Sequence, residues 1–126
     1  MSWSSYKRRV LFYGGRDFAD KDAVRQACEA TLRKYGPFIM VNGMCPTGAD
    51  AHAAEWVAEC GVHGQEIEKY PADWNAHGRA AGPIRNKEMA DSGLNGAVEF
   101  PGGRGTSGMR ALLDERDIPV WSPARG

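Results

Sequence analysis

A chain of 126 residues, 42% of them hydrophobic, is close to the commonest single-domain size and can bury one core without disulfides or metal. Sixteen Lys and Arg against sixteen Asp and Glu leave a formal net charge of zero, so no global field draws the protein to nucleic acid or to an anionic membrane. Cys28, Cys45 and Cys60 are odd in number and lack C-x-x-C spacing, which excludes a closed disulfide framework and fits a reducing cytoplasm.

The N-terminal residues run into Val10–Tyr13, an apolar segment far too short for a signal-peptide core or a membrane span. That segment stops at Gly14-Gly15 and reads as a buried strand ending in a turn. Asp17 and Asp20 both stand where a helix N-cap is wanted. Val24, Cys28, Leu32 and Tyr35 then recur at nearly helical spacing, with Gly36-Pro37 as the stop. Phe38–Val41 is the second strand, followed by a turn at Asn42-Gly43 and a helix from about Ala49 to Cys60 that closes at Gly61.

Val62–Tyr70 is a weaker strand, interrupted by Gly64, Gln65, Glu66 and Glu68 as an edge strand tolerates. Pro71–Gly82 reads as a long polar connection, with Pro83 at an early helical position and Ile84–Ala90 continuing as helix. Ala97–Phe100 is a fourth strand, followed by a glycine-rich turn. A helix over roughly Ser107–Arg116, a last strand at Ile118–Trp121 and a frayed tail complete the chain. Short strands alternating with helices predict a single α/β domain whose parallel sheet is covered by helices on both faces.

In such a sheet, ligands bind beyond the carboxyl ends of the strands. Three glycine-bearing turns fall there: Gly14-Gly15-Arg16-Asp17, the Gly43 to Asp50 segment with Thr47 and Gly48, and Pro101-Gly102-Gly103-Arg104-Gly105-Thr106. Glycine allows close backbone approach, and free amides at a following helix start attract a phosphate or carboxylate. Tight turns alone would also use glycine, but three on one rim favour an anion site. Neither G-x-x-x-x-G-K-[ST] nor an early G-x-G-x-x-G is present, which argues against an ordinary ATPase or a dinucleotide dehydrogenase, and no cofactor is expected. The three histidines have no metal-ligand spacing, so no metal is expected either.

The ordered set Gly-Gly-Arg-Asp-Phe, Cys-Pro-Thr-Gly-Ala-Asp, Pro-Ala-Asp-Trp, Ala-Gly-Pro-Ile-Arg-Asn-Lys-Glu-Met and Pro-Gly-Gly-Arg-Gly-Thr resembles the SLOG superfamily, in particular its YspA-like, cpYpsA-related branch of bacteria and phages. The resemblance spans roughly residues 10 to 121. It implies a Rossmann-like three-layer fold of about five parallel strands in the order 3-2-1-4-5, which would set the Gly14 and Pro101 turns side by side. More distantly the chain is similar to LOG-type nucleoside monophosphate phosphoribohydrolases. That likeness implies a nucleotide-type ligand, makes a homodimer or higher oligomer plausible, and matches Arg85 to the arginine of those enzymes. The glutamate expected after the glycine-rich turn is replaced by Gly108, so the hydrolytic reaction does not simply carry over.

Several residues keep two readings. Asp17, Asp50 and Asp73 could bind ribose hydroxyls or act as acid and base, with Asp50, Asp73 and Arg85 as catalytic candidates; Asp17 and Asp50 could equally cap turns and helices. Arg16, Arg79, Arg85 and Arg104, with Asn86 beside them, suit phosphate binding or solvated salt bridges. Trp74 could stack on a base or fill the core beneath the long connection. Cys45 has no histidine paired with it in sequence, and Lys7-Arg8-Arg9 could form a basic patch for single-stranded DNA. The reading preferred on sequence is a nucleotide-binding sensor or sequestering protein, with nucleotide N-glycosidic hydrolysis as the alternative.

Overall fold

A computed structural model describes residues 7–125. It contains β1 (Arg9–Tyr13), α1 (Lys21–Tyr35), β2 (Ile39–Asn42), α2 (Gly48–Cys60), β3 (Glu66–Lys69), α3 (Trp74–His77), α4 (Ala81–Ala90), β4 (Gly96–Glu99), α5 (Arg104–Glu115) and β5 (Val120–Trp121). The strands are all parallel and lie in the order β3-β2-β1-β4-β5, the arrangement the resemblance implied. Parallel neighbours cannot be joined by hairpins, so every connection carries a helix and the sheet is covered on both faces.

The alternation along β1 separates two cores. Val10 and Phe12 face α1 and α2, where Val24, Cys28, Phe38, Ala53, Trp56 and Phe100 pack around them. Leu11 and Tyr13 face α4 and α5 and meet Val41, Met89, Met109 and Leu113. In the first core Phe12, Phe38 and Trp56 stack in succession, with centroids 6.0 and 6.2 Å apart. Each such ring removes a large apolar area from water, worth roughly 2 kcal/mol per side chain before entropy is set against it.

Local signals decide where the helices begin and end. Asp20, rather than Asp17, caps α1: its carboxylate accepts from the Ala23 amide at 3.0 Å. Tyr35 sits at the end of the predicted apolar stripe but is exposed, its ring covered by the Arg8 guanidinium at 4.8 Å, while Ala27 and Thr31 join Val24 and Cys28 on the buried face. β3 tolerates its glutamates because it is an edge: Glu66 pairs with Lys7 and Glu68 with Arg9. Of the basic residues Lys7-Arg8-Arg9, Lys7 and Arg9 are thus paired with carboxylates, and Arg8 lies over the Tyr35 ring.

Three further expectations are corrected. The long polar connection predicted from Pro71 to Gly82 contains α3 and a 3-10 turn at Gly78–Ala80. The helix after it starts at Ala81, because Pro83 falls in the first turn, where no amide hydrogen is needed. α5 begins at Arg104, three residues ahead of Ser107, so Gly105, which disguises its helical character, belongs to it. The C-terminal tail forms a 3-10 turn over Pro123–Arg125, and β5 is reduced to two residues, Val120–Trp121, after a turn at Arg116-Asp117. No described helix is long and apolar enough to cross a membrane.

Candidate functional site

Strand order reverses between β1 and β4, and the crevice beyond their carboxyl ends is where an open parallel sheet receives ligands. Tyr13 pairs with Glu99 as the last rung of β1 and β4, and the two glycine turns continue directly from it. The Gly15 amide donates to the Pro101 carbonyl at 2.9 Å, so the turns are joined. Their approach leaves no room for a side chain: a Cβ on Gly15 would lie 2.8 Å from the Gly102 Cα.

The third turn docks on the first. Thr47 precedes α2 and donates its hydroxyl to the Arg16 carbonyl at 2.8 Å, while the Ala49 amide donates to the Gly15 carbonyl at 3.2 Å. Gly48 between them has φ of +75°, and a Cβ there would meet the Gly15 carbonyl oxygen at 2.2 Å. Gly43, Thr47 and Gly48 therefore build the rim without lining the cleft.

The cleft itself has a volume of about 790 Å³, within the range of small-molecule sites. Gly14, Gly15, Arg16 and Asp17 line one side of it, and Pro101, Gly102, Gly103, Arg104, Gly105 and Thr106 line another. Asp50, Arg85 and Asn86 close the third. Residues 104–106 form the first turn of α5, whose leading amides have no intrahelical partners; no side chain caps them.

Asp50 and Arg85 meet across Gly43. Asp50 Oδ2 accepts from the Cys45 amide at 3.2 Å, and Asn42 Nδ2 donates to the Asp50 carbonyl at 3.0 Å. Arg85 Nη1 donates to the carbonyls of Gly43 and Tyr70, tying the ends of β2 and β3 to α4, and Arg85 Nε donates to Asn86 Oδ1 at 2.9 Å. A Cβ on Gly43 would stand 2.7 Å from Arg85 Nη1 and 3.1 Å from Asp50 Oδ2. Burial pushes the Asp50 carboxyl up to about 6, against the lowering pull of the Cys45 amide and the Arg85 guanidinium.

With this geometry the chain's relatives can be placed. A model of the YspA, cpYpsA-related SLOG family matches residues 8–77. The chain belongs to that family. It is also similar to the Gene 61 protein of Mycobacterium phage D29, 34% identical over 119 residues that cover 90% of this chain and 94% of that protein. The stretch of this SLOG domain matched by the family runs from the start of β1 through α3, so it includes the Gly14 and Gly48 turns and ends before Arg85 and the Pro101 turn.

Other sequence candidates fall outside the cleft of this SLOG domain. Asp73 caps α3, accepting from the Ala76 amide at 3.0 Å. Trp74 neither fills the core nor lines the cleft: it is 54% exposed, and the tryptophan that fills the core is Trp56. Arg79 is exposed in the 3-10 turn. Gly108 lies on the exposed side of α5, and the residue of that turn facing the cleft is Met109; no acidic residue occurs between Phe100 and Asp114.

Sequence reasoning missed Tyr13, Phe18, Met89 and Met109 as lining residues, and it set Cys45 aside although the cleft reaches it. Their apolar character made the first four look like core, and three of them are both: Tyr13, Met89 and Met109 are almost fully buried yet touch the cleft. The last rung of each central strand, next to a glycine turn, is the signal that could have flagged Tyr13. No described group of His, Cys, Asp or Glu is arranged to hold a metal ion.

Proposed function

We propose that the cleft binds a nucleotide or nucleotide-derived ligand, with its phosphate on the first turn of α5, and that the protein acts as a sensor or sequestering module for that ligand. The observation that carries this reading is the open start of α5. Residues 104–106, its first turn, line the cleft, no side chain caps the helix start, and the helix has no carboxylate in its first two turns to repel an anion. Arg16 and Arg104 on the rim form no ion pair among the described residues, which suits them to a phosphate. Membership of the SLOG family supports a nucleotide-related role.

A second reading, cleavage of a nucleotide N-glycosidic bond, is favoured by one observation: Asp50 is a buried carboxyl that titrates near 6 and faces the cleft beside Arg85. A group with that affinity can hold or release a proton near neutrality, as acid–base catalysis requires. The missing carboxylate on α5 places binding ahead of hydrolysis.

Incubation of the purified protein with a nucleotide panel separates the two. Native mass spectrometry reads bound ligand and chromatography reads products. Stoichiometric recovery of unchanged nucleotide is the expected result; catalytic release of free base would replace the binding reading with the hydrolytic one.

A further inference from the structure

The central strands end on a polar pair set in an apolar layer. Tyr13 donates its hydroxyl to Glu99 Oε1 at 2.6 Å, and Arg110 Nη1 of α5 lies 3.3 Å from the same oxygen. Leu11, Met89, Met109 and Leu113 belong to the layer around them, and Glu99 is 2% exposed. Holding a carboxylate in such a layer carries a desolvation cost, and hydrophobic replacements of buried ion pairs are often neutral or stabilising. Stability alone therefore gives the layer no reason to contain this group.

Its position supplies a reason. Tyr13 and Glu99 lie directly beneath the Gly14 and Pro101 turns, and of the three polar residues Tyr13 alone lines the cleft. Its one hydroxyl hydrogen is committed to Glu99. Burial, reinforced by Glu99, also holds the phenol far above the usual tyrosine range and so keeps it neutral. What remains for a ligand is an oxygen lone pair, made a better acceptor by the carboxylate behind it.

We infer that Tyr13, oriented by Glu99, is a hydrogen-bond-accepting subsite of the cleft that takes a hydroxyl or N–H donor of the ligand on the α4–α5 side of the glycine turns. This inference rests on the nucleotide reading above and adds to it a requirement on the part of the ligand that is not phosphate. A ribose hydroxyl and an exocyclic base amine share that donor chemistry. Met89 and Met109 flank the subsite with adaptable apolar surface for the sugar or base that carries the donor. Glu99 is a positioning residue here, and Tyr13 makes the contact.

Calorimetric titration of wild type, Tyr13→Phe, Glu99→Gln and Glu99→Leu with inorganic phosphate, AMP, 2′-deoxy-AMP and inosine monophosphate tests it, with folding followed by circular dichroism. Tyr13→Phe is expected to bind inorganic phosphate as wild type does and AMP about tenfold more weakly, the loss of one well-made hydrogen bond. Glu99→Gln, whose amide oxygen still accepts from Tyr13, keeps most of the AMP affinity, and Glu99→Leu loses it as Tyr13→Phe does. Indifference of 2′-deoxy-AMP to Tyr13→Phe assigns the donor to the ribose; indifference of inosine monophosphate assigns it to the base amine. A folded Tyr13→Phe that binds every nucleotide as wild type does overturns the subsite and leaves the nucleotide reading standing. If Tyr13→Phe does not fold, equal AMP affinity in Glu99→Gln and Glu99→Leu overturns it instead. Failure of wild type to bind phosphate or any of the nucleotides overturns the nucleotide reading and the subsite with it.

Discussion

Gly48 and Gly103 sit in turns on either side of the Gly14 turn on one rim, yet they are glycines for opposite reasons. A side chain at Gly48 would overlap backbone of the Gly14 turn, whereas a Cβ at Gly103, or at Gly105 in the next turn, would meet nothing within 4 Å. The first kind is demanded by the protein's own packing. The second leaves space, and in the helix it even costs stability, since glycine is about 1 kcal/mol worse than alanine in a helix interior. Space kept open at a helix start that no side chain caps is what a ligand approaching the backbone needs.

Substitution at Gly48 gives the largest effect. Gly48→Ala combines a left-handed φ of +75° with a contact of 2.2 Å to a backbone oxygen that cannot rotate away. A loss of about 4 kcal/mol is expected from the two costs together. Urea unfolding measures it, and a midpoint equal to wild type would show that the three turns are not locked together as described.

The packed side of the rim also holds a charge, and its cost depends on pH. The Asp50 carboxyl titrates near 6 in the folded protein against an ordinary value of 3.8. The folded state thus holds the proton more tightly: the associated stability is complete below pH 3.8 and is lost as pH rises through about 6. Asp50→Asn removes the titration, so it should be more stable than wild type at pH 8, by about 2–3 kcal/mol, with the advantage shrinking toward pH 4. Denaturation curves across that range check the sign; an advantage that grew on acidification would contradict the burial of Asp50.

Much of this contrast is legible in the sequence. Apolar runs at Val10–Tyr13 and Phe38–Val41, each stopped by glycine, sufficed for the strands because buried parallel strands are short and uniformly apolar. The glycine turns after them placed most of the cleft. What stayed hidden depends on long-range geometry. Whether Gly15 or Gly103 touches another backbone is decided by strand order, and the Tyr13–Glu99 pair by register across residues 86 positions apart. The start of α5 was masked because Gly103-Arg104-Gly105 has the composition of a turn, although residues 104 and 105 are helical. Trp74 failed for a related reason: its short helix buries none of its side chains, and no local pattern announces that.

On the open side of the rim the expected effects are on affinity, not on folding. Gly103 is the N-cap of α5, and aspartate is a preferred N-cap residue, so Gly103→Asp should fold at least as well as most surface variants. Its carboxylate would occupy the amides offered to a phosphate and repel it, weakening binding of inorganic phosphate by more than tenfold, on the order of a lost charge-assisted hydrogen bond. Thr106→Val, which removes a hydroxyl that has no protein partner among the described residues, should cost about threefold to tenfold. Calorimetry with inorganic phosphate reads both, and unchanged affinity in folded Gly103→Asp would move the anion site away from α5.

Gly105→Ala has the smallest expected effect and separates the two kinds of glycine most cleanly. The position is helical and exposed, and its Cβ would enter open space, so alanine should raise stability by about 0.5–1 kcal/mol through the lower entropy of the unfolded chain. Gly105 also lines the cleft in the first turn of α5, so nucleotide affinity is expected to fall as stability rises. A gain in stability with no change in affinity would make Gly105 a tolerated weakness of the helix. Opposite movements of the two quantities would mean that the open glycine is kept for the ligand at the expense of the fold.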